Sequence, residues 1–226
     1  MKPLLALLLL LVGGPAMAAE SSAPLFVLDH LLVGAADLDR VSEQVAASTG
    51  VRPVYGGKHP VGTHNALLAL GDHTYLELIA AQPGQRPLAF GVDFTALATP
   101  AAVGWAIAVT NLAAARAALA QAGYRLSEPL AGSRTTPAGQ TLAWHTFVIL
   151  GAPEPAPFFI AWSADTAHPA TTSPPGCRLE KLTLKTPDVA ALEKLNAVLG
   201  LTLTIERADS PGQTIELACP AGKVRY

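Results

Sequence analysis

The sequence has few charged residues and no cluster of positive charge. Asp, Glu, Lys and Arg make up 14% of the 226 residues, and the formal net charge is −2. Proteins that bind nucleic acid or anionic membranes usually carry a basic patch, because phosphate groups attract Lys and Arg. The composition therefore argues against nucleic acid as a partner. It favours a small molecule or another protein, and a homodimer is left open.

Motifs for covalent catalysis and for nucleotide binding are also missing. The chain has no Gly-x-Ser-x-Gly motif, no glycine-rich phosphate loop ahead of a helix and no dinucleotide fingerprint. A hydrolase with a serine nucleophile is therefore not indicated. For the same reason we expect no nucleotide cofactor.

Cysteine is scarce, since only Cys177 and Cys219 occur, both towards the C-terminal end. Two cysteines without further ligands at suitable spacing do not predict a zinc site. In an oxidising compartment the two thiols can form a disulfide, which would staple only this part of the chain. The sequence leaves a disulfide and two buried thiols equally open.

Residues 1–19 have the features of a secretory signal peptide. Lys2 supplies the positive start, Leu4–Val12 form an apolar run too short to cross a bilayer, and Ala16-Met17-Ala18 places small residues at a cleavage site. We expect cleavage after Ala18, export to a bacterial periplasm and no membrane span in the mature chain. An uncleaved anchor helix is the alternative.

One pattern occurs three times along the mature chain. In each copy an apolar strand is followed by a residue that can cap a helix, an amphipathic helix and a closing glycine. The capping residues are Asp37, Asn111 and Asp188, and the closing glycines are Gly50, Gly123 and Gly200. The caps lie 74 and 77 positions apart, which argues for three related units.

Strand patterns follow each helix, so each unit is expected to have the order βαβββ. The predicted strands are 51–55, 65–70 and 75–80 in the first unit, 124–128, 141–150 and 158–162 in the second, and 201–207, 214–219 and 223–226 in the third. The units span 25–82, 100–166 and 176–226, and the third is truncated. The predicted fold class is therefore α+β, with curved mixed sheets around a cleft.

Several short motifs lie on or near these strands. They are Leu28-Asp29-His30-Leu31, Gly62-Thr63-His64-Asn65-Ala66-Leu67, Tyr75-Leu76-Glu77-Leu78, Pro157–Trp162 and His168-Pro169-Ala170. Together with the repeat they resemble the glyoxalase-like branch of the vicinal oxygen chelate superfamily. The resemblance implies that each unit has adjacent first and last strands and that two units enclose a cleft. It does not fix the activity, because the superfamily includes isomerases, dioxygenases, lyases, epoxide-opening transferases and binding proteins.

The same resemblance implies a metal site on the first and last strands, and His30 and Glu77 match the ligand positions of the first unit. Imidazole and carboxylate suit zinc, iron, manganese or nickel, so the identity of a divalent metal stays open. Glu77 is also a candidate catalytic base. In the structural alternative, His30 is a hydrogen-bonded core histidine and Glu77 pairs with a nearby donor.

A third metal-ligand candidate is His64. If Gly71-Asp72 is a two-residue turn, His64 lies opposite Ile79 and projects on the same side of the sheet as Glu77. Two histidines and a carboxylate would then form an open catalytic metal site. A turn one residue longer would put His64 on the other face.

The second unit departs from the ligand pattern. The corresponding positions fall at Gly104 or Trp105 on its first strand and within 160–162 on its last, and none of these residues binds a divalent cation. The ligand sets of glyoxalase I and of extradiol dioxygenases are therefore incomplete, and those activities are not predicted. Candidates for the wall of a substrate pocket are His145, His168, Trp105 and Trp162.

Two functions with a small-molecule ligand fit these observations, and a fold kept as an interaction module is a third alternative. The first is an exported, metal-dependent enzyme of the lyase, isomerase or dioxygenase type that acts on an oxygen-bearing small molecule. The second is a metal-free protein that binds or sequesters an apolar small molecule between aromatic walls.

Overall fold

The computed structural model describes residues 24–89 and 91–226, in which three units of βαβββ order follow one another. The predicted signal peptide, residues 1–19, lies outside the described residues. The first unit contains β1 (Phe26–Gly34), α1 (Leu38–Thr49), β2 (Val54–Lys58), β3 (Thr63–Ala69) and β4 (Tyr75–Ala81). A link with β5 (Leu88–Ala89), β6 (Val92–Asp93) and a 3-10 turn (Phe94–Ala96) follows.

The second unit and the third are built in the same order. The second contains β7 (Ala101–Val109), α2 (Leu112–Gln121), β8 (Leu130–Thr135), β9 (Thr141–Val148) and β10 (Phe158–Trp162). After a link that carries α3 (Pro169–Thr172), the third contains β11 (Arg178–Thr186), α4 (Val189–Leu199), β12 (Thr204–Arg207), β13 (Gly212–Cys219) and β14 (Gly222–Arg225). The predicted α+β fold of repeated βαβββ units is confirmed.

The three long helices begin where the sequence pattern predicts. Asp37, Asn111 and Asp188 each accept a hydrogen bond from the backbone N–H three residues later, at 2.9, 3.0 and 3.1 Å. These bonds satisfy donors that the first turn of a helix leaves free. Gly50 and Gly200 end α1 and α4 in the left-handed conformation, which glycine adopts without steric cost. No helix in the described part of the chain is long and apolar enough to span a bilayer.

The first two units pair and close into one eight-stranded barrel. Its strand order is β1-β4-β3-β2-β8-β9-β10-β7; β1 pairs antiparallel with β7, and β2 meets β8. Within each of these units the first and last strands are adjacent and parallel, as the resemblance implies. The sequence left open which units pair. The structure shows that units one and two enclose the cleft.

The third unit forms a separate four-stranded sheet in the order β12-β11-β13-β14. Its first strand pairs with β12 and β13 and not with its last strand, so this unit departs from the arrangement that the resemblance implies. Leucines of β11 and α4 join the same hydrophobic cluster as residues of α1 and the barrel. The third unit therefore packs against the barrel and shares its core.

Two strands lie further along the chain than the sequence predicts. β2 and β8 replace the predicted strands 51–55 and 124–128. The apolar residues that suggested the earlier positions, Val51, Tyr124 and Leu126, pack against the core from connecting segments. As a result, residues Leu130–Thr135, which follow the predicted strand 124–128, form β8 in the barrel wall.

The loop between β3 and β4 is one residue longer than predicted. It comprises Gly71-Asp72-His73, and a backbone hydrogen bond of 2.8 Å joins the two residues that flank it. In the resulting register Asn65 stands opposite Ile79. Because side chains alternate along a strand, Asn65 shares the face of Glu77, and the prediction that His64 does so is wrong.

Cys177 and Cys219 form a disulfide bond, one of the two alternatives that the sequence left open. The bond joins the residue before β11 to the end of β13, across a sequence separation of 42 residues. It therefore ties the first strand of the third unit to its neighbour in the sheet.

We predict that replacing both cysteines with alanine lowers the free energy of unfolding by about 4 kcal/mol, because the bond restricts the unfolded chain over this loop. Denaturant-induced unfolding of the two proteins without reductant measures the difference. Reductant should destabilise the wild type and leave the double variant unchanged. A difference below about 1 kcal/mol between the two proteins would contradict the prediction.

Candidate functional site

The barrel of the first two units encloses a cavity of about 960 Å³. Its walls come from the inner faces of β1, β3, β4, β8, β9 and β10. Much of the lining is aromatic or aliphatic, including Trp144, Phe158, Ile160 and Trp162. Polar side chains from the first unit and from β8 interrupt this apolar surface and define a candidate site.

His30 and Glu77 face each other in this cavity. β1 and β4 are parallel neighbours, and the Nε2 atom of His30 lies 3.4 Å from Oε2 of Glu77. The two side chains are almost fully buried, with 2% and 6% of their residues' surface exposed. The structure thus brings together the histidine of the opening strand and the carboxylate of the closing strand.

Asp29 is a member of the site that the sequence analysis missed. Neighbouring residues of a regular strand point to opposite faces. A bulge between Leu28 and His30 interrupts that alternation in the pairing of β1 with β7. Asp29 is fully buried, and its Oδ1 atom lies 2.5 Å from Nδ1 of His30. The adjacent acid and imidazole therefore contact each other directly.

Asp29 has two further partners, which come from other parts of the fold. Its Oδ2 atom accepts hydrogen bonds from Nε1 of Trp162 and Nε2 of His168, both at 2.9 Å. His168 precedes α3, and its Nδ1 atom accepts the backbone N–H of Ala170 at 3.2 Å. The proton of His168 therefore resides on Nε2, the nitrogen that faces Asp29.

These contacts determine the charge of Asp29 and the tautomer of His30. Burial raises the pKa of Asp29, but the hydrogen bonds from His168 and His30 outweigh it and hold the pKa well below its usual range. An ionised carboxylate only accepts hydrogen bonds, so Nδ1 of His30 must carry a proton. In the neutral imidazole the free lone pair is then on Nε2, which faces Glu77.

Asn65 holds the other oxygen of Glu77. Its Nδ2 atom donates to Oε1 of Glu77 at 2.8 Å, and it lies 3.4 Å from Nε2 of His59. Asn65 packs against the backbone at Gly56, where an added Cβ would collide with its Oδ1 atom. Burial lowers the pKa of His59, which favours the neutral ring. Glu77 is therefore positioned by a neutral hydrogen-bond network.

Tyr75 supports His30 from the neighbouring strand. The two rings stack with centroids 4.7 Å apart and planes at 22°. Burial, with the carboxylates of Asp29 and Glu77, raises the pKa of Tyr75 well above its usual range, so the phenol stays neutral. Stacking and the bond to Asp29 together fix the orientation of the His30 ring.

Arg134, on β8, also lines the cavity and was not predicted. It is 5% exposed, and its Nη1 atom donates to the carbonyl of Gly56. Burial lowers its pKa, while the charge of Glu77 opposes that shift. The site therefore contains a buried cation in addition to the His30 and Glu77 pair.

The other predicted site residues lie in different environments. Trp162 lines the cavity, and His145 borders it but is exposed. His168 does not line the cavity. It lies in the link after β10 and donates a hydrogen bond to Asp29. Trp105, expected in the pocket wall, is 2% exposed and belongs to the hydrophobic core, where its indole donates to the carbonyl of residue 155. His64 lies on the outer face, with its ring 6.3 Å from that of Tyr55.

The donor atoms do not fit the divalent-metal site that the resemblance implies. Nε2 of His30 and Oε2 of Glu77 converge, but His64 faces away and supplies no third ligand. From the second unit, the edge of the Phe158 ring approaches His30, with centroids 5.4 Å apart. The described residues contain no group of three or more His, Cys, Asp or Glu that could hold a metal ion.

We predict that Asp29→Asn lowers the free energy of unfolding at pH 7 by about 3 kcal/mol, because three donors lose an ionised acceptor. A carboxyl whose folded pKa is lowered stabilises the protein above its unfolded pKa of about 3.9, and this contribution is lost as pH falls. The difference between wild type and variant should therefore shrink below about pH 4. Denaturant unfolding at pH 7 and pH 3 measures it.

The matched control for this prediction is Asp72→Asn, which changes an exposed acid in the loop between β3 and β4. This variant should unfold like the wild type at both pH values. An Asp29→Asn protein as stable as the wild type at pH 7, or one whose deficit grows on acidification, would contradict the prediction.

Comparisons with known proteins agree with this architecture. The profile of the glyoxalase-like domain family matches residues 28–200. The crystal structure of a hypothetical protein from Staphylococcus aureus is 16% identical, covers 88% of this chain and 85% of its own, and has a TM-score of 0.63. At this identity the likeness shows the fold alone. No curated protein matches the chain with significant sequence similarity.

Two epimerase structures are more distant in fold. Methylmalonyl-CoA epimerase from Mycobacterium tuberculosis is 23% identical over 60% of this chain and 85% of its own, with a TM-score of 0.39. A methylmalonyl-CoA epimerase in complex with methylmalonyl-CoA and NH4+ is 16% identical over 63% and 99%, with a TM-score of 0.43. At these TM-scores neither structure carries an argument about function. The family match spans most of the chain, and the chain belongs to the glyoxalase-like domain family of the vicinal oxygen chelate superfamily.

Proposed function

We propose that the protein is an enzyme that moves a proton on a small molecule bound in the barrel cavity, with His30 and Glu77 as its acid–base pair. The observation that carries this proposal is the approach of Nε2 of His30 to Oε2 of Glu77, 3.4 Å apart inside an apolar cavity. Isomerases and lyases use chemistry of this kind.

The arrangement of the pair suits proton transfer. General acid–base catalysis needs groups that exchange protons and lie within reach of the substrate. The distance of 3.4 Å exceeds that of an ordinary hydrogen bond, so neither atom is fully engaged by the other. When one proton resides on either Nε2 of His30 or Oε2 of Glu77, the group that carries it can donate it to a bound substrate, and the other group can accept a proton from that substrate.

Asp29 acts in this proposal as a positioning residue. Its carboxylate binds Nδ1–H of His30, so Nε2 is the ring nitrogen that faces the cavity and can exchange protons. Asn65 has the corresponding role for Glu77, since its amide holds Oε1 and leaves Oε2 towards His30. Both reactive atoms are thus held in place before a substrate binds.

The remainder of the cavity suits the apolar body of a substrate. Its volume, about 960 Å³, lies in the range of small-molecule pockets. Trp144 and Trp162 form an edge-to-face pair in the wall, with ring centroids 5.4 Å apart. Apolar walls lower the local dielectric constant, which strengthens electrostatic interactions at the reacting atoms.

The same aromatic walls favour a second candidate function, the binding or sequestering of an apolar small molecule without catalysis. In that case His30 and Glu77 would have only a structural role in the cavity wall. The two functions differ in whether a bound carbonyl compound exchanges protons, which can be measured directly.

We predict that the protein accelerates exchange of the α-protons of phenylacetone or phenylpyruvate in D₂O, followed by loss of their proton NMR signals. Glu77→Gln and His30→Gln should each reduce the exchange rate about 100-fold or more, because each removes one member of the acid–base pair. His73→Gln, which changes an exposed histidine of the loop between β3 and β4, is the matched control and should leave the rate unchanged.

Addition of a chelator should leave the exchange rate unchanged, since the proposed step uses only side chains of the protein. The proposal is wrong if neither probe exchanges faster than in buffer, if both substituted proteins keep the wild-type rate, or if chelation abolishes exchange. Saturable binding of the probes without exchange would instead support the binding function.

We also propose that the chain is exported to an oxidising compartment. Support comes from Lys2, the apolar run Leu4–Val12 and the small residues at Ala16-Met17-Ala18, and the bond between Cys177 and Cys219 suits such a compartment.

We expect mass spectrometry of the full chain, expressed in a Gram-negative host, to find a periplasmic protein that begins at Ala19, because signal peptidase cleaves after small residues. A chain that keeps residues 1–18 and sediments with membranes would contradict this proposal and support the anchor helix.

A further inference from the structure

The cavity wall contains a buried positive charge, and this charge has no role in the proposed His30 and Glu77 pair. Arg134 lies on β8, is 5% exposed and lines the cavity. Its side chain projects from a strand whose other cavity-lining residues carry no charge: Leu130, Ala131, Gly132 and Ser133. A cation in such surroundings needs a partner.

Burial of an unpaired charge is costly, and buried charges in folded proteins are therefore paired. A guanidinium group has five N–H donors, and the hydrogen bond of Arg134 to the Gly56 carbonyl uses one nitrogen. No carboxylate among the described residues forms an ion pair with it. The charge of Arg134 is thus left without a direct counterion in the described part of the chain.

The two buried acids of the site, Asp29 and Glu77, are already engaged by other groups. Asp29 accepts hydrogen bonds from His30, Trp162 and His168. Glu77 is held by Asn65 and faces His30. Burial lowers the pKa of Arg134, and the more distant charge of Glu77 offsets this shift only in part. Neither acid replaces a direct partner for the guanidinium.

The remaining donors of Arg134 are open to a ligand. None of its nitrogen atoms is among the buried, unpartnered polar atoms of the described residues. The Gly56 carbonyl is the acceptor that Arg134 binds, and the space that its side chain lines is the cavity. The planar group offers paired N–H donors that match the two oxygens of a carboxylate.

We propose that Arg134 binds the carboxylate of the cavity's ligand, which makes that ligand an organic acid with an apolar body. A single cation balances a single negative charge, so a carboxylate fits better than a doubly charged phosphate. The proposal rests on the proposed function for the reaction that follows binding, but the carboxylate contact itself does not depend on it.

The position of Arg134 relates the ligand's acid group to the reactive pair. The Gly56 carbonyl accepts from Arg134, and the same glycine packs against Asn65, which holds Glu77. A carboxylate at Arg134 would therefore lie on the same side of the cavity as Glu77. The substrate class that follows is a carboxylic acid whose reacting carbon lies near its acid group.

Binding can be measured without a reaction, because Trp144 and Trp162 line the cavity and their fluorescence reports on its contents. The probes are 3-phenylpropionate and octanoate, each compared with its neutral amide. We expect the full-length wild type to bind at least one acid about 10-fold or more tightly than its amide, as a hydrogen-bonded charge pair provides. Arg134→Met should abolish this preference, and Arg134→Lys should retain part of it because the charge remains.

Arg178→Met is the matched control, since it removes an exposed arginine from β11, outside the cavity. It should keep the wild-type preference for acids. Arg134→Met should also melt at a higher temperature than the ligand-free wild type, because an unpaired buried charge is removed. This second measurement shows that the variant is folded.

The proposal is overturned if the wild type binds neither acid, if it binds acids and amides equally, or if Arg134→Met keeps the preference. Glu77→Gln separates this proposal from the proposed function. If this variant and the wild type both prefer acids while neither exchanges α-protons, the carboxylate site stands and the catalytic role of Glu77 fails. If exchange of phenylacetone depends on Glu77 but the wild type does not prefer acids over amides, the catalytic role of Glu77 stands and the carboxylate site at Arg134 fails.

Discussion

The fully buried carboxylate of Asp29 joins three parts of the fold through three hydrogen bonds. His30 belongs to β1 of the first unit, Trp162 ends β10 of the second, and His168 lies in the link to the third. Because an ionised acid without water must be surrounded by donors, each of these residues is constrained in position. The interaction that stabilises the charge therefore also joins the two halves of the barrel and orients the imidazole of His30.

The sequence predicts those features that depend on local chemistry. Helix caps, closing glycines and strand periodicity predict the βαβββ units, and they place His30 and Glu77 on strands that the fold makes adjacent. The features that the sequence could not predict depend on a strand bulge and on the length of a loop. Asp29 contacts His30 because a bulge breaks the alternation of β1, and Asn65 replaces His64 because a loop is one residue longer. A shift of one residue in register exchanges the two faces of a strand, and sequence patterns do not resolve such shifts.

Arg134 was missed for a different reason. The apolar residues that follow α2 suggest a strand, but they pack against the core from a connecting segment, and the strand that forms the wall comes later. The resulting cavity combines engaged acids, neutral hydrogen-bond donors and one guanidinium without a carboxylate partner among the described residues. The fold supplies a largely apolar cavity, and the polar residues at its wall determine which chemistry it can support. The chemistry proposed for this set of residues is proton transfer on an organic acid.

The proposed pairing of His30 with Glu77 depends on the proton at Nδ1 of His30, because that proton leaves Nε2 to face Glu77. Nitrogen-15 NMR of the imidazole, assigned by comparison with a His30→Gln protein, measures its protonation directly. We expect Nδ1 to carry a proton at every pH at which the protein is folded, whether or not Nε2 is protonated. A neutral ring with its proton on Nε2 and a bare Nδ1 would contradict it.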